Sequence, residues 1–198
     1  MKILAFSDLH RSRGRASVLV EASREADLVI AAGDFCTMRE GLEDAFALLS
    51  GIGASMVAVP GNAESADELR AAAPKGVTVL HGEGAEIGGL QLFGLGYGVP
   101  VTPFGAWSCD LTEKTAAGML AGCTSADILV THSPPKGVVD VSSRGEHLGS
   151  TAVLAAIEQK RSKLVVCGHI HASAGEVGYV GETAVVNAGP QGMFWLLR

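Results

Sequence analysis

Basic residues are in short supply. Fifteen lysines and arginines face 21 aspartates and glutamates, a formal net charge of −6 with histidine neutral, so the chain as a whole repels polyanions and general nucleic-acid binding is excluded. A phosphate-bearing ligand must find local positive charge. Cysteine is sparse as well: Cys36, Cys109, Cys123 and Cys167 show no CxxC spacing and no dense disulfide framework, which fits free thiols in a reducing compartment and a cytoplasmic protein. Long apolar runs are missing. The longest plainly apolar stretch, residues 152–157, is far below the roughly 18 residues that span a bilayer, and no charged-then-apolar leader is evident, so no membrane association is expected. Linkers, repeats and low-complexity tracts are lacking too, and the 198 residues are expected to form one domain, 1–198.

Hydrophobic residues, in contrast, make up 47% of the chain against 18% charged, enough apolar surface to offset the entropy of ordering it. Glycine is plentiful, 26 of 198, which points to many tight turns and close backbone approaches. Short apolar runs at 3–6, 28–32, 56–59, 128–130 and 164–167 read as strands buried on both faces. Between them, residues 16–26, 39–49, 66–73 and 151–161 have helical spacing, so the pattern is β-α-β-α and the fold class is α/β with a largely parallel sheet. Residues 85–95 and 176–186 read as hairpins that add antiparallel strands and a second or mixed sheet. Residues 193–197 read as a final strand, and a homodimer through its edge is left open. Residues 96–110 fit no period and read as a long surface loop, the kind that more often carries function.

Sheets of this class bind ligands at the carboxyl ends of their strands. Asp8 and His10 follow the first strand, Gly33-Asp34 the second, Gly61-Asn62 the third, His132 the next, and Gly168-His169-Ile170-His171 the last. Each cluster supplies an oxygen or nitrogen donor suited to a divalent metal, and seven donors exceed what one ion needs, so two ions sharing a carboxylate are expected.

In this order the motifs resemble those of the calcineurin-like metallophosphoesterases: Asp-x-His at Asp8/His10, Gly-Asp at Gly33/Asp34, Gly-Asn at Gly61/Asn62, a mid-chain His132, and Gly-His-x-His at Gly168/His169/His171. Thr131-His132-Ser133-Pro134-Pro135 is similar to the short single-domain branch of that family. The resemblance implies a four-layer αββα sandwich of two mixed β-sheets. It implies that Asp8, His10, Asp34 and His171 hold one ion and that Asp34, Asn62, His132 and His169 hold the other, with Asp34 bridging. Manganese is the first candidate, ahead of Fe, Zn, Ni, Co or Mg. It further implies hydrolysis of small phosphodiesters, cyclic nucleotides among them, by a hydroxide shared between the ions. Two rivals stand beside this reading: a non-catalytic protein-interaction scaffold, and a sugar-nucleotide pyrophosphohydrolase, which would want a larger cap than residues 96–125 provide.

One departure stands out. The family usually carries a histidine after Gly-Asn, near the leaving group, and here that position is Ala63. His147 is the candidate to supply the missing proton, and an imidazole restored at 63 is expected to speed alkyl esters. Arg11 and Arg13, with Arg15 beside them, are candidates for binding substrate phosphate, and Trp107, with Phe104, for stacking on its organic part. Glu64 reads as a carboxylate capping the helix that follows, and Cys36 as packing.

Overall fold

The computed structural model describes residues 1–197. Its first half alternates strands and helices: β1 (Lys2–Phe6), α1 (Arg13–Ser23), β2 (Leu28–Ala31), α2 (Leu42–Leu48), β3 (Ser55–Ala58), α3 (Ala66–Ala72) and β4 (Val77–Val79). The second half contains β5 (Glu83–Ile87), β6 (Leu90–Leu95), α4 (Glu113–Leu120), β7 (Ile128–Thr131), α5 (Thr151–Lys160), β8 (Leu164–Cys167), β9 (Val177–Val180), β10 (Thr183–Asn187) and β11 (Met193–Leu196). One sheet has the order β11-β1-β2-β3-β4 and the other β5-β6-β7-β8-β10-β9. Crossover helices make β1 to β4 parallel, and likewise β6, β7 and β8, while β10 joins β8 in parallel after β9.

Period-two alternation separates the layers. Ile3 and Ala5 of β1 join Leu28, Ile30, Val130, Val166 and Val186 in a core between the sheets. Leu4 and Phe6 of the same strand face α1 to α3 with Leu19, Phe46 and Leu69. Phe93, Leu129 and Val165 pack beneath α4 and α5 with Val153 and Ile157. The result is the expected α/β/β/α stack. Because each central strand is covered on both faces, its sequence is apolar at every position rather than at alternate ones.

The two hairpins form, but only their outer members run against the sheet: β5 and β9 are antiparallel edges, whereas β6 and β10 are parallel to β7 and β8. Helix α2 starts three residues later than its spacing suggests. Met38, Arg39 and Gly41 take positive φ (49°, 72° and 81°), and Arg39 is drawn into a two-point ion pair with Glu68 on α3, with nitrogen–oxygen distances of 2.7 and 2.6 Å. Strand β4, only three residues long, and α4, whose start is marked by the Thr112 N-cap, carry too little periodicity to be read from sequence. Among the described residues no helix is long and apolar enough to cross a membrane.

Candidate metal centre

Strands β1, β2, β3, β7 and β8 end on the same side of the sandwich, and the loops that leave them carry the seven donors. Four ligating atoms, one each from Asp8, His10, Asp34 and His171, lie within 4.8 Å of one another. His10 Nε2 is 3.3 Å from His171 Nε2 and 3.6 Å from Asp34 Oδ2, and His171 Nε2 is 3.4 Å from Asp8 Oδ1. A second group meets the other oxygen of Asp34. His132 Nε2 stands 3.5 Å from Asp34 Oδ1 and 3.1 Å from Asn62 Oδ1, and the His169 ring lies against His132 with centroids 4.8 Å apart. The two oxygens of one carboxylate therefore face two separate donor sets.

Backbone carbonyls fix which ring nitrogens point inward. His10 Nδ1 donates to the Cys36 carbonyl at 2.9 Å and His132 Nδ1 to the Ala32 carbonyl at 2.7 Å, since a carbonyl can only accept. Each Nε2 is then left with a lone pair directed into the site, the arrangement that a metal-binding histidine needs. Asn62 is oriented in the same way: its Nδ2 donates to Ser108 Oγ at 3.1 Å, turning Oδ1 toward His132. Around His132 a lone-pair nitrogen, an amide oxygen and a carboxylate oxygen converge, which requires positive charge among them, either a proton on the imidazole or a bound cation. Electrostatics agree. Burial pulls the His132 pKa down, but the Asp34 and Asp8 carboxylates win and raise it. Burial pushes Asp8 up, but hydrogen bonds from His171 and Ser7 and the charge of His132 hold it at about 2. His169, half-buried and close to His132, is pushed down to about 3 by desolvation and by the His132 charge, so it offers a neutral imidazole.

The backbone is strained where these donors sit. Asp8, His10, Asp34 and His169 all take the left-handed conformation, with φ of 55°, 45°, 58° and 68°, a costly choice outside glycine that is held where surrounding structure over-determines it. Two glycines make room. A Cβ on Gly61 would collide with the Asp34 carboxylate, and one on Gly168 with Ser7 and the Asp8 carboxylate.

Glu64 has a different role from the helix cap its position suggests. Ser65 caps α3 in a reciprocal box with Glu68, while Glu64 is fully buried and points the other way. Its carboxylate accepts from the backbone N–H groups of Asp34 (2.8 Å), Phe35 (3.4 Å), Cys36 (3.3 Å) and Gly61 (2.7 Å). It thus ties the loop after β2 to the loop after β3, the two loops that deliver Asp34 and Asn62. Burial and the nearby Asp34 charge push its pKa up to about 7. The Cys36 thiol lies against Glu64 and the Ala63 carbonyl, is pushed well up by burial, and packs as expected.

The remaining candidates divide. His147 is held by Asp140, with Nδ1 to Oδ1 at 2.6 Å, and its carbonyl accepts from Lys136; the structure brings it into no contact with the donor cluster. Arg11 folds over Gly41 toward the Glu40 carbonyl, and Arg13 is the exposed first residue of α1. It is Arg15 that shares a cavity of about 290 Å³ with Asp8 and His171. Arg11 precedes α1, and two residues along the helix turn a side chain by about 200°, so Arg13 and Arg15 point to opposite sides, which their sequence proximity conceals. Trp107 stacks on Phe104, centroids 5.7 Å apart and rings nearly parallel.

Ala63 is 2% exposed. Its N–H donates to Asp34 Oδ1 at 2.8 Å and its carbonyl accepts from Arg39 N, while Cys109 N donates to the neighbouring Asn62 carbonyl. The long loop therefore closes over this strand end, and a larger side chain there starts from a buried position. Ala63→His is expected to cost about 1–3 kcal/mol of stability through overpacking, read as a lower urea midpoint at unchanged slope.

A family model described as the calcineurin-like phosphoesterase superfamily domain matches residues 1–195. No curated protein sequence matches the chain. Solved structures share the fold at low identity. TT1561 of Thermus thermophilus is 18% identical, with a TM-score of 0.73 over 96% of this chain and 90% of that one. An archaeal phosphodiesterase is also 18% identical, with a TM-score of 0.55 over 96% of this chain and 84% of that one. GAP50, the anchor in the inner membrane complex of Plasmodium, is 13% identical, with a TM-score of 0.59 over 96% of this chain and 71% of that one.

Proposed function

Since the chain belongs to the calcineurin-like phosphoesterase superfamily, we propose that it hydrolyses small phosphodiesters with the help of two divalent metal ions, manganese first among them. The observation that carries this reading is Asp34, whose Oδ2 faces His10 while its Oδ1 faces His132. Asp8, His10, Asp34 and His171 would hold one ion, and Asp34, Asn62, His132 and His169 the other. When bound, the pair supplies Lewis acidity that polarises phosphoryl oxygens and lowers the pKa of water toward neutrality. The chain's own part is to hold these donors rigid: carbonyls lock the imidazoles, Ser108 locks Asn62 and Glu64 locks the two central loops. Arg15 offers a cation to a non-bridging phosphoryl oxygen.

Among the described residues neither candidate for protonating the departing oxygen meets the donor cluster: position 63 is a buried alanine, and His147 makes its contacts with Asp140 and Lys136. Esters with acidic aryl leaving groups should therefore react much faster than alkyl esters, and Ala63→His should not close that gap. Two rivals are less well supported. A protein-binding scaffold has no need of a full donor set, and a pyrophosphohydrolase cap is not supplied by residues 96–125, which form one loop and an eight-residue helix. The test is to reconstitute the protein with Mn and measure both bound metal and hydrolysis of a panel of monoesters and diesters. Two ions per chain with diester hydrolysis support the proposal. Full activity with one ion or none removes the two-ion reading, and two ions without turnover favours the scaffold.

A further inference from the structure

Beside the donor cluster, and open to it, lies a cavity of about 600 Å³ between the long loop and the segment around residues 142–148. Its character contrasts with the site it adjoins. Val101, Phe104 and Leu148 line it while remaining 59%, 50% and 45% exposed, and Ile170 lies between His169 and His171 on the remaining wall. Among the described residues lining it there is no Asp, Glu, Lys or Arg. Three large apolar side chains left in solvent on facing loops mark a surface built to be covered. Two of its lining residues, His169 and His171, belong to the proposed metal ligands, so a group that fills the cavity lies beside whatever is held at the metals.

We propose, on the premise that the site acts on phosphodiesters, that this cavity receives an uncharged apolar substituent of the substrate, aromatic or branched aliphatic, attached to the phosphoryl group. The absence of charged side chains selects against a second phosphate or a carboxylate on that substituent, since a buried charge without a partner is costly. Phe104, backed by Trp107 in a near-parallel stack, presents a flat face for an aryl ring. The substrate class is thus a phosphodiester with one hydrophobic ester group, and polyphosphorylated nucleotides fall outside it.

Two measurements test this. In the Mn-loaded protein, phenyl 4-nitrophenyl phosphate and methyl 4-nitrophenyl phosphate are compared; they share a leaving group and differ only in the group the cavity would take. The phenyl ester should have a kcat/KM larger by about 10- to 100-fold, and Phe104→Ala with Leu148→Ser should bring the phenyl-to-methyl ratio close to one. Separately, Trp195→Phe leaves Trp107 as the only tryptophan, and its fluorescence should report phenylphosphonate binding more tightly than methylphosphonate by a similar factor. Equal kcat/KM for the two esters, or equal affinity for the two phosphonates, overturns the inference. If neither ester is hydrolysed but phenylphosphonate still binds preferentially, the phosphodiesterase reading falls and the apolar cavity stands.

Discussion

Asp34→Asn should lower hydrolysis by about 10³-fold or more, because it removes the one carboxylate directed at both donor sets, and a few kcal/mol of lost transition-state stabilisation is enough for that factor. Bound metal should fall below two ions per chain. The metal-free protein should change little in stability, because the lost attraction to His132 is set against two effects. An asparagine oxygen can still accept the Ala63 N–H that Asp34 Oδ1 accepts at 2.8 Å, and losing the negative charge relieves Glu64, whose pKa is raised in part by that charge. A variant that is inactive and poor in metal, yet as stable as the wild type when both are metal-free, identifies Asp34 as a ligand. Unimpaired turnover would remove it from the chemistry, and an equal loss of metal-free stability would make its role structural.

How much of this was legible in the sequence follows from the range of each interaction. The meeting of the seven candidate residues could be read because each follows closely on an apolar run, and the end of a buried strand is a local signal. Layering could be read for the same reason: runs apolar at every position, such as Leu28–Ala31, demand cover on both faces. The orientation of β6 and β10 could not be read. A hairpin fixes how its two strands relate to each other, and only a distant partner decides which of them continues the parallel sheet. Arg15 was hidden among three neighbouring arginines, whose directions depend on where α1 begins. His147 looked available because its partner, Asp140, approaches through a loop bridge between Val141 and His147, a pairing with no periodicity. Ser108 likewise reaches Asn62 across 46 residues of sequence.

Glu64 shows most clearly what local reasoning misses, and its replacement should have the second large effect. A carboxylate just before Ser65 looks like part of a helix start, yet it accepts four backbone N–H groups from loops that share no helix with it. Glu64→Gln keeps one acceptor oxygen, which can face the Asp34, Phe35 and Gly61 N–H groups as Oε1 does, but turns an NH₂ toward the Cys36 N–H that it cannot satisfy. Leaving that buried donor unpaired costs about 1–3 kcal/mol. Chemical denaturation of the metal-free protein should show a loss in that range. Metal affinity should fall as well, by about 10- to 100-fold, the usual effect of removing a group that orients ligands without touching the ion. Glu64→Asp keeps the charge but shortens the reach, and should recover part of the stability and less of the affinity, since the N–H groups of Asp34 and Gly61 belong to different loops and both must be met at once. A Glu64→Gln protein with wild-type denaturation and wild-type metal affinity would mean that the Asp34 and Asn62 loops hold their positions unaided, and that the strained φ of 58° at Asp34 is supported by something other than this carboxylate.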